Sequence, residues 1–247
     1  MSSRAELDVL YKIGNAPVLN YPFPHFFVRD VFPADYYAEM QRNLPRPEAM
    51  KSLEEARGTR GYPERSVMTL GEEAPAFWAG LWRWMLGGRV GHLMLQKFAP
   101  VVQARLQGIP DAEITDEAIL VHDRTQYALG PHSDSPRKLI TMLFYLPADE
   151  RLARYGTSIY VPKDPDFRCP GGPHYSFEIF DRMATMPFVP NALFAFAKTD
   201  NSFHGVERFD VPNAGRWLLL VDLYVRQGTA AAAPQAAPGG PSVAFKF

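Results

Sequence analysis

Near residue 115 the spacing of apolar residues changes from helical to alternating, which restricts the chain to a helical layer followed by a sheet-built core. Upstream, in "FPADYYAEMQRNLP", Phe32, Tyr36, Met40 and Leu44 recur every fourth position, with Pro33 near the start and Pro45 at the end, as an amphipathic helix requires. Trp78, Leu81, Trp82 and Met85 repeat at the same spacing, and a further helical run from Leu93 to Leu106 is interrupted near Pro100. Aromatic stripes of this kind are read as core packing. Downstream, "AILVHDRTQY", "KLITMLFYLP", "TSIYVP", "ALFAFA" and "RWLLLVDLYV" are short β-branched and aromatic runs separated by Gly, Pro, Asp and Asn. Helices followed by strand after strand predict a mainly β fold with a helical flank, an antiparallel sandwich or jelly roll. One domain is expected over 1–227, helical in 1–110 and sheet-built in 111–227. The Ala/Pro/Gly-rich segment 228–247 is expected to be a disordered tail.

A formal charge of −1 on 247 residues gives no electrostatic reason for a nucleic-acid or anionic-membrane partner. The single cysteine, Cys169, cannot form an internal disulfide. "MSSRAELDVL" lacks the apolar stretch of a signal peptide. The most hydrophobic window, "FWAGLWRWMLGGRVGHLMLQKF", carries Arg83, Arg89 and Lys97, so it fails as a membrane span. The expectation is a soluble, cytoplasmic protein of unspecified oligomeric state.

In "YALGPHSDSPRK" His132 precedes Asp134 by two residues, so both side chains leave one side of an extended chain. Six histidines and 27 acidic residues produce roughly 0.7 such matches by chance, so the pair needs a third ligand to mean anything. Two histidines and a carboxylate on one face of an octahedron leave three positions open at a mononuclear non-haem iron. His204, in "KTDNSFHGVERF" after "ALFAFA", is the candidate third ligand. His25 and His92 fall in the helical half, His122 lies mid-strand, and His174 occupies the loop "CPGGPHY"; all four are read as ordinary hydrogen-bonded histidines.

Arg216 opens "RWLLLVDLYV" in phase with Leu218, Leu220, Asp222 and Tyr224. If that face points inward, a guanidinium is buried and needs a carboxylate. A bound dicarboxylate would meet it bidentately; an internal ion pair with Asp222, or with an acid on a neighbouring strand, is the alternative.

"HSD", "FHGV" and Arg216 at the head of the terminal strand together resemble the iron(II)- and 2-oxoglutarate-dependent oxygenases, specifically their bacterial prolyl-hydroxylase-like branch. "KLITMLFYLP", "YGTSIYV", "VPNALFAFAKTDNSFHGV" and the opening "YPFPHFFVRDVFPADYYAEM" extend the resemblance over roughly residues 20–226. It implies a double-stranded β-helix (jelly roll, cupin-like). It also implies Fe(II) on His132, Asp134 and His204, and 2-oxoglutarate held by Arg216, with O2 and a small-molecule substrate as the other reactants. The interval from His204 to Arg216 exceeds the family's usual nine or ten residues by an apparent "DVPNA" insertion, which makes Arg208 the substitute. Tyr127 and Thr141 are the candidates for further contacts to the keto-acid. A carboxylate at Asp134, where halogenating relatives carry a small residue, implies hydroxylation over halogenation and leaves desaturation and ring closure open. The competing readings are a protein-residue hydroxylase of the same superfamily, or a jelly-roll binding domain whose histidines are incidental or hold a non-redox metal. The loop 163–182, with Lys163, Arg168, His174 and Arg182, is the candidate substrate entrance, and Arg124 and Lys138 flank the His-x-Asp turn.

Overall fold

A computed structural model describes residues 3–85 and 89–226. Six helices, α1 (Ser3–Asn15), α2 (Ala34–Arg42), α3 (Leu53–Arg57), α4 (Ala76–Met85), α5 (Arg89–Lys97) and α6 (Ala99–Leu106), precede most of the strands. The helical spacing upstream of residue 115 corresponds to real elements. Pro33 stands just outside α2, where its missing N–H leaves no helical bond unmade. The break between α5 and α6 falls at Phe98, and Pro100 sits in the first turn of α6, where a helix tolerates proline; the stripe Trp78, Leu81, Trp82, Met85 is buried along α4.

The strands are β1 (His25–Arg29), β2 (Lys51–Ser52), β3 (Arg65–Thr69), β4 (Glu113–Arg124), β5 (Leu129–His132), β6 (Lys138–Tyr145), β7 (Thr157–Pro162), β8 (Phe180–Met186), β9 (Ala192–Ala197), β10 (His204–Val206) and β11 (Gly215–Arg226). They form a seven-stranded sheet, β1-β9-β6-β11-β4-β3-β2, and a four-stranded sheet, β5-β10-β7-β8. From β4 to β11 the chain passes back and forth between the two sheets, and every pairing is antiparallel, which is the jelly roll expected. Three features differ from the sequence reading. The first 110 residues are not wholly helical, because β1 and β3 extend the large sheet at either side of the jelly-roll strands. The loop after β7 is shorter than 163–182, since Phe180, Asp181 and Arg182 already belong to β8. The short strands β5 and β10 lack a visible period because each has four residues or fewer. The expected tail 228–247 lies outside the described residues.

Period two on the large sheet sorts its side chains into two cores. Ile140, Met142, Phe144, Leu219, Val221 and Leu223 face the helices, together with Trp78, Leu81 and Phe98. Val121, Tyr145, Phe194, Phe196 and Leu218 face inward toward Ile159 of the small sheet. Covered on both sides, β9 is buried at all six positions, which is why "ALFAFA" contains no polar residue. Arg216, Asp222 and Asp123 share the inward phase, so the barrel interior carries charge. Among the described residues no helix is long and apolar enough to cross a membrane.

Candidate metal centre and its charged interior

Strand pairing unites residues that stand 72 positions apart, because His204 on β10 is the direct cross-strand partner of His132 on β5. Their rings lie 4.3 Å apart between centroids. Asp134, just beyond the end of β5, completes a buried group whose ligand atoms all lie within 4.8 Å of one another. His132 Nε2 is 4.0 Å and His204 Nε2 is 3.9 Å from the Asp134 carboxylate. The other nitrogen of each ring faces a main-chain carbonyl two residues back, Gly130 for His132 and Ser202 for His204, both at 3.0 Å. A carbonyl accepts only, so each Nδ1 carries the proton and each Nε2 lone pair is free to ligate. Burial pushes both imidazoles toward the neutral form a metal requires, His132 to about 3 and His204 also downward.

Gly205 allows this register. A Cβ there would lie 2.7 Å from the Leu129 carbonyl oxygen and 3.2 Å from the Pro131 nitrogen, both in the backbone of the strand that carries His132. Gly205→Ala is expected to force β10 away from β5, lowering stability by about 1–3 kcal/mol and metal affinity by at least about tenfold. Thermal melting and a Co(II) titration measure both; an unshifted affinity would separate the His pair from this contact.

Asp134 is held on both oxygens. Thr141 Oγ1 donates to Oδ2 at 2.8 Å, and Lys138 Nζ lies 3.1 Å from Oδ1. Lys138 is also 2.9 Å from Asp222 on β11. Burial alone would raise the Asp134 pKa; the Lys138 ammonium, with the Thr141 hydroxyl donating to the other oxygen, outweighs it and holds the carboxyl well below its usual range. Thr141 therefore meets the carboxylate of the triad. Lys138, one of two basic residues noted beside the His-x-Asp turn, is a full member of the site; its position four residues after Asp134 was the only sequence signal.

Toward β3 and β4 the interior carries a second charged group. Arg216, 1% exposed, is the β11 register partner of Asp123, as Arg65 is on β3. Arg65 takes both Asp123 oxygens, at 2.6 and 3.0 Å, which leaves Arg216 only a 3.4 Å contact to Oδ2. Its Nε has no hydrogen-bond partner, and its guanidinium packs 4.8 Å over the Phe188 ring. Tyr127, under Arg65, likewise has a buried hydroxyl without a partner. The neighbouring acid foreseen for Arg216 thus exists, but it is already engaged; Asp222 pairs with Lys138 instead. Arg208, the alternative basic residue, is exposed outside the barrel.

Two guanidinium groups share one carboxylate here, leaving one positive charge over. Around the triad, two carboxylates share one ammonium, leaving one negative charge; Glu117 is matched by Arg57 at 2.6 Å. These two excess charges are separated and cancel overall, and a divalent cation on the triad together with a dicarboxylate anion at the arginines keeps the balance while giving each excess charge an opposite partner. The orphaned donors Arg216 Nε and Tyr127 OH point to the same kind of occupant.

His174 departs from its expected role as an unremarkable loop histidine. Its ring meets that of His132 edge-on at 4.5 Å, and its Nδ1 is hydrogen-bonded to the Tyr62 hydroxyl. The loop is tied down there by Ser133 Oγ donating to the Cys169 carbonyl at 2.7 Å and by Tyr175 N donating to the Pro131 carbonyl at 2.9 Å. Gly171, at φ +132°, passes so close to the Asp134 carbonyl that a Cβ would lie 2.3 Å from it. The pair of glycines in "CPGGP" was the visible trace of this approach. Of the other histidines, His25 bonds the Phe23 carbonyl at 2.8 Å and His122 packs on Trp217 on the helical side of the sheet.

No protein-family model matches this chain, and no curated protein matches it. Among solved structures it is similar to SnoK, a non-haem alpha-ketoglutarate-dependent carbocyclase from nogalamycin biosynthesis. The TM-score is 0.54 at 12% identity, over 93% of this chain and 88% of that one. It is also similar to SnoN, the non-haem alpha-ketoglutarate-dependent epimerase of the same biosynthesis, with a TM-score of 0.53 at 14% identity, over 97% and 96% of the two chains. At these identities the likeness is one of architecture. With its helical flank and two antiparallel sheets, the chain has the jelly-roll fold it shares with these two non-haem alpha-ketoglutarate-dependent (2-oxoglutarate-dependent) enzymes.

Proposed function

We propose that this protein is an Fe(II)- and 2-oxoglutarate-dependent dioxygenase that hydroxylates an unactivated C–H bond of a polar small molecule. The observation that carries the proposal is the pairing of a buried His132–Asp134–His204 group with an undercompensated guanidinium inside the same barrel. Two imidazoles and one carboxylate are the donor set of a non-haem iron centre with open positions. When bound, Fe(II) and 2-oxoglutarate supply, with O2, the oxidising chemistry that yields the alcohol, succinate and CO2.

The chain's own residues bind, orient and exclude water. Gly130 and Ser202 keep both imidazoles in the Nδ1–H tautomer, and Thr141 and Lys138 keep the Asp134 carboxylate ionised and aimed. Arg216 binds the far carboxylate of the keto-acid through its free Nε edge, with the Tyr127 hydroxyl as a second donor. Phe188, Phe194, Phe196, Leu218 and Ile159 make the surrounding wall apolar, which strengthens that ion pair and keeps bulk water away. The substrate approaches beside His174 and Tyr62, whose polar edges suit a hydroxylated or otherwise polar molecule. Asp134 as a carboxylate favours hydroxylation over halogenation. The neighbours SnoK and SnoN, both named from nogalamycin biosynthesis, support a small-molecule substrate over a protein residue.

Purified protein supplied with Fe(II), ascorbate and 2-oxoglutarate is expected to form succinate slowly even before its substrate is found. Mn(II) and 2-oxoglutarate together should raise the melting temperature beyond Mn(II) alone. Stabilisation by metal with no further response to the keto-acid would favour a metal-holding binding domain and overturn the assignment.

A further inference from the structure

The outer face of the small sheet carries a second polar concavity, apart from the triad. Ile159 points into the core between the sheets, so its neighbour Ser158 points outward, where its hydroxyl meets that of Thr185 on β8 at 2.8 Å. These hydroxyls lie in a cleft of about 490 Å³ rimmed by Arg154, Arg182, Arg208 and Glu207. That volume is within the range of small-molecule sites, roughly 300–1,000 Å³.

The charges on this rim do not balance. Glu207 is the only acid lining the cleft, and both its oxygens are taken: Oε2 by Arg182 Nη1 at 2.7 Å, Oε1 by the Tyr160 hydroxyl at 3.2 Å. Arg154 lies over the Tyr155 ring, 4.6 Å from its centroid, and donates to the Tyr155 hydroxyl. Among the described residues neither Arg154 nor Arg208 has a carboxylate partner. Two guanidinium charges are left over beside two hydroxyl groups. Guanidinium forks match tetrahedral and planar oxyanions bidentately. A carboxylate would neutralise one of the two charges, whereas a phosphate monoester, with a charge of about −1.5 to −2 at neutral pH, matches both.

We infer that this cleft is a binding site for a phosphate dianion, held by Arg154 and Arg208 with Arg182 as third donor. It goes beyond the proposed oxygenase function and does not depend on it. The cleft lies on the outer face of β7 beside β10, the strand that carries His204, since Ser158 pairs with Gly205 and Ile159 with His204. A phosphate free in solution and one carried by a larger molecule present the same chemistry to these arginines.

The test is calorimetric titration of the full chain with inorganic phosphate, acetate and phenyl phosphate. Phosphate is expected to bind and acetate to bind at least tenfold more weakly. Phenyl phosphate binding more tightly than inorganic phosphate marks an ester-borne group; equal or weaker binding marks the free ion. Arg208→Gln and Arg154→Gln should each weaken phosphate binding at least threefold, and the double variant at least tenfold; all three substitute exposed side chains and should melt as the parent does. Asp134→Ala and Arg216→Met should bind phosphate as the parent does, whatever becomes of keto-acid turnover. Undiminished binding by the double variant, or loss of binding in Asp134→Ala or Arg216→Met, places the ion elsewhere and overturns the assignment.

Discussion

Asp134→Ala is expected to reduce metal affinity by at least about a thousandfold and to bring succinate formation to background. The reason is the low-dielectric setting. At an effective interior dielectric, two unit charges 4 Å apart interact by about 4 kcal/mol, close to three decades of affinity. A divalent ion bonded to the carboxylate gains more than that. In the variant, His132 and His204 keep their carbonyl-fixed tautomers, and Lys138 keeps Asp222, so the ammonium would face the cation without its intervening carboxylate. Co(II) titration followed by absorption, with succinate release measured in parallel, reads both effects. Full retention of keto-acid turnover would remove Asp134 from the centre.

Arg216→Met is expected to act on the keto-acid and not on the metal. Leaving the far carboxylate of 2-oxoglutarate without its buried partner should cost about 2–5 kcal/mol, which raises its dissociation constant roughly thirtyfold or more. Metal affinity should stay within a factor of three, because no triad atom touches Arg216. The melting temperature of the free protein should hold or rise. Arg216 is buried at 1% exposure with one shared 3.4 Å contact, burial already pulls its pKa down, and an apolar residue of similar length avoids that desolvation. A loss confined to the keto-acid separates a binding role from a structural one. Unchanged 2-oxoglutarate affinity would mean that Arg216 serves only the Asp123–Arg65 network.

Much of the fold was legible because burial imposes a period on the sequence. The four-residue spacing in α2 and the stripe of α4 are helix faces against the sheet, and "TSIYVP" and "ALFAFA" coincide with β7 and β9. β2, β3, β5 and β10 were not legible. Two to five residues show no period, and their pairing is decided by partners far along the chain. α1 was read only for what it lacks as a leader, although Val9 and Ile13 anchor it in the helical core.

The residue types at the candidate centre are readable without any coordinates: two histidines, an aspartate two residues from one of them, and an arginine in phase with an inward strand face. That phase is local chemistry, since alternation along an extended chain needs no partner. Long-range packing is what sets His132 opposite His204, gives Asp222 to Lys138 rather than to Arg216, and brings His174 to the triad. It also placed Arg208 on an outer cleft and Arg65 beside Arg216. Each of these follows from strand register and loop path, and register is set by the summed packing of two sheets and a helical layer, a sum no short stretch of residues contains.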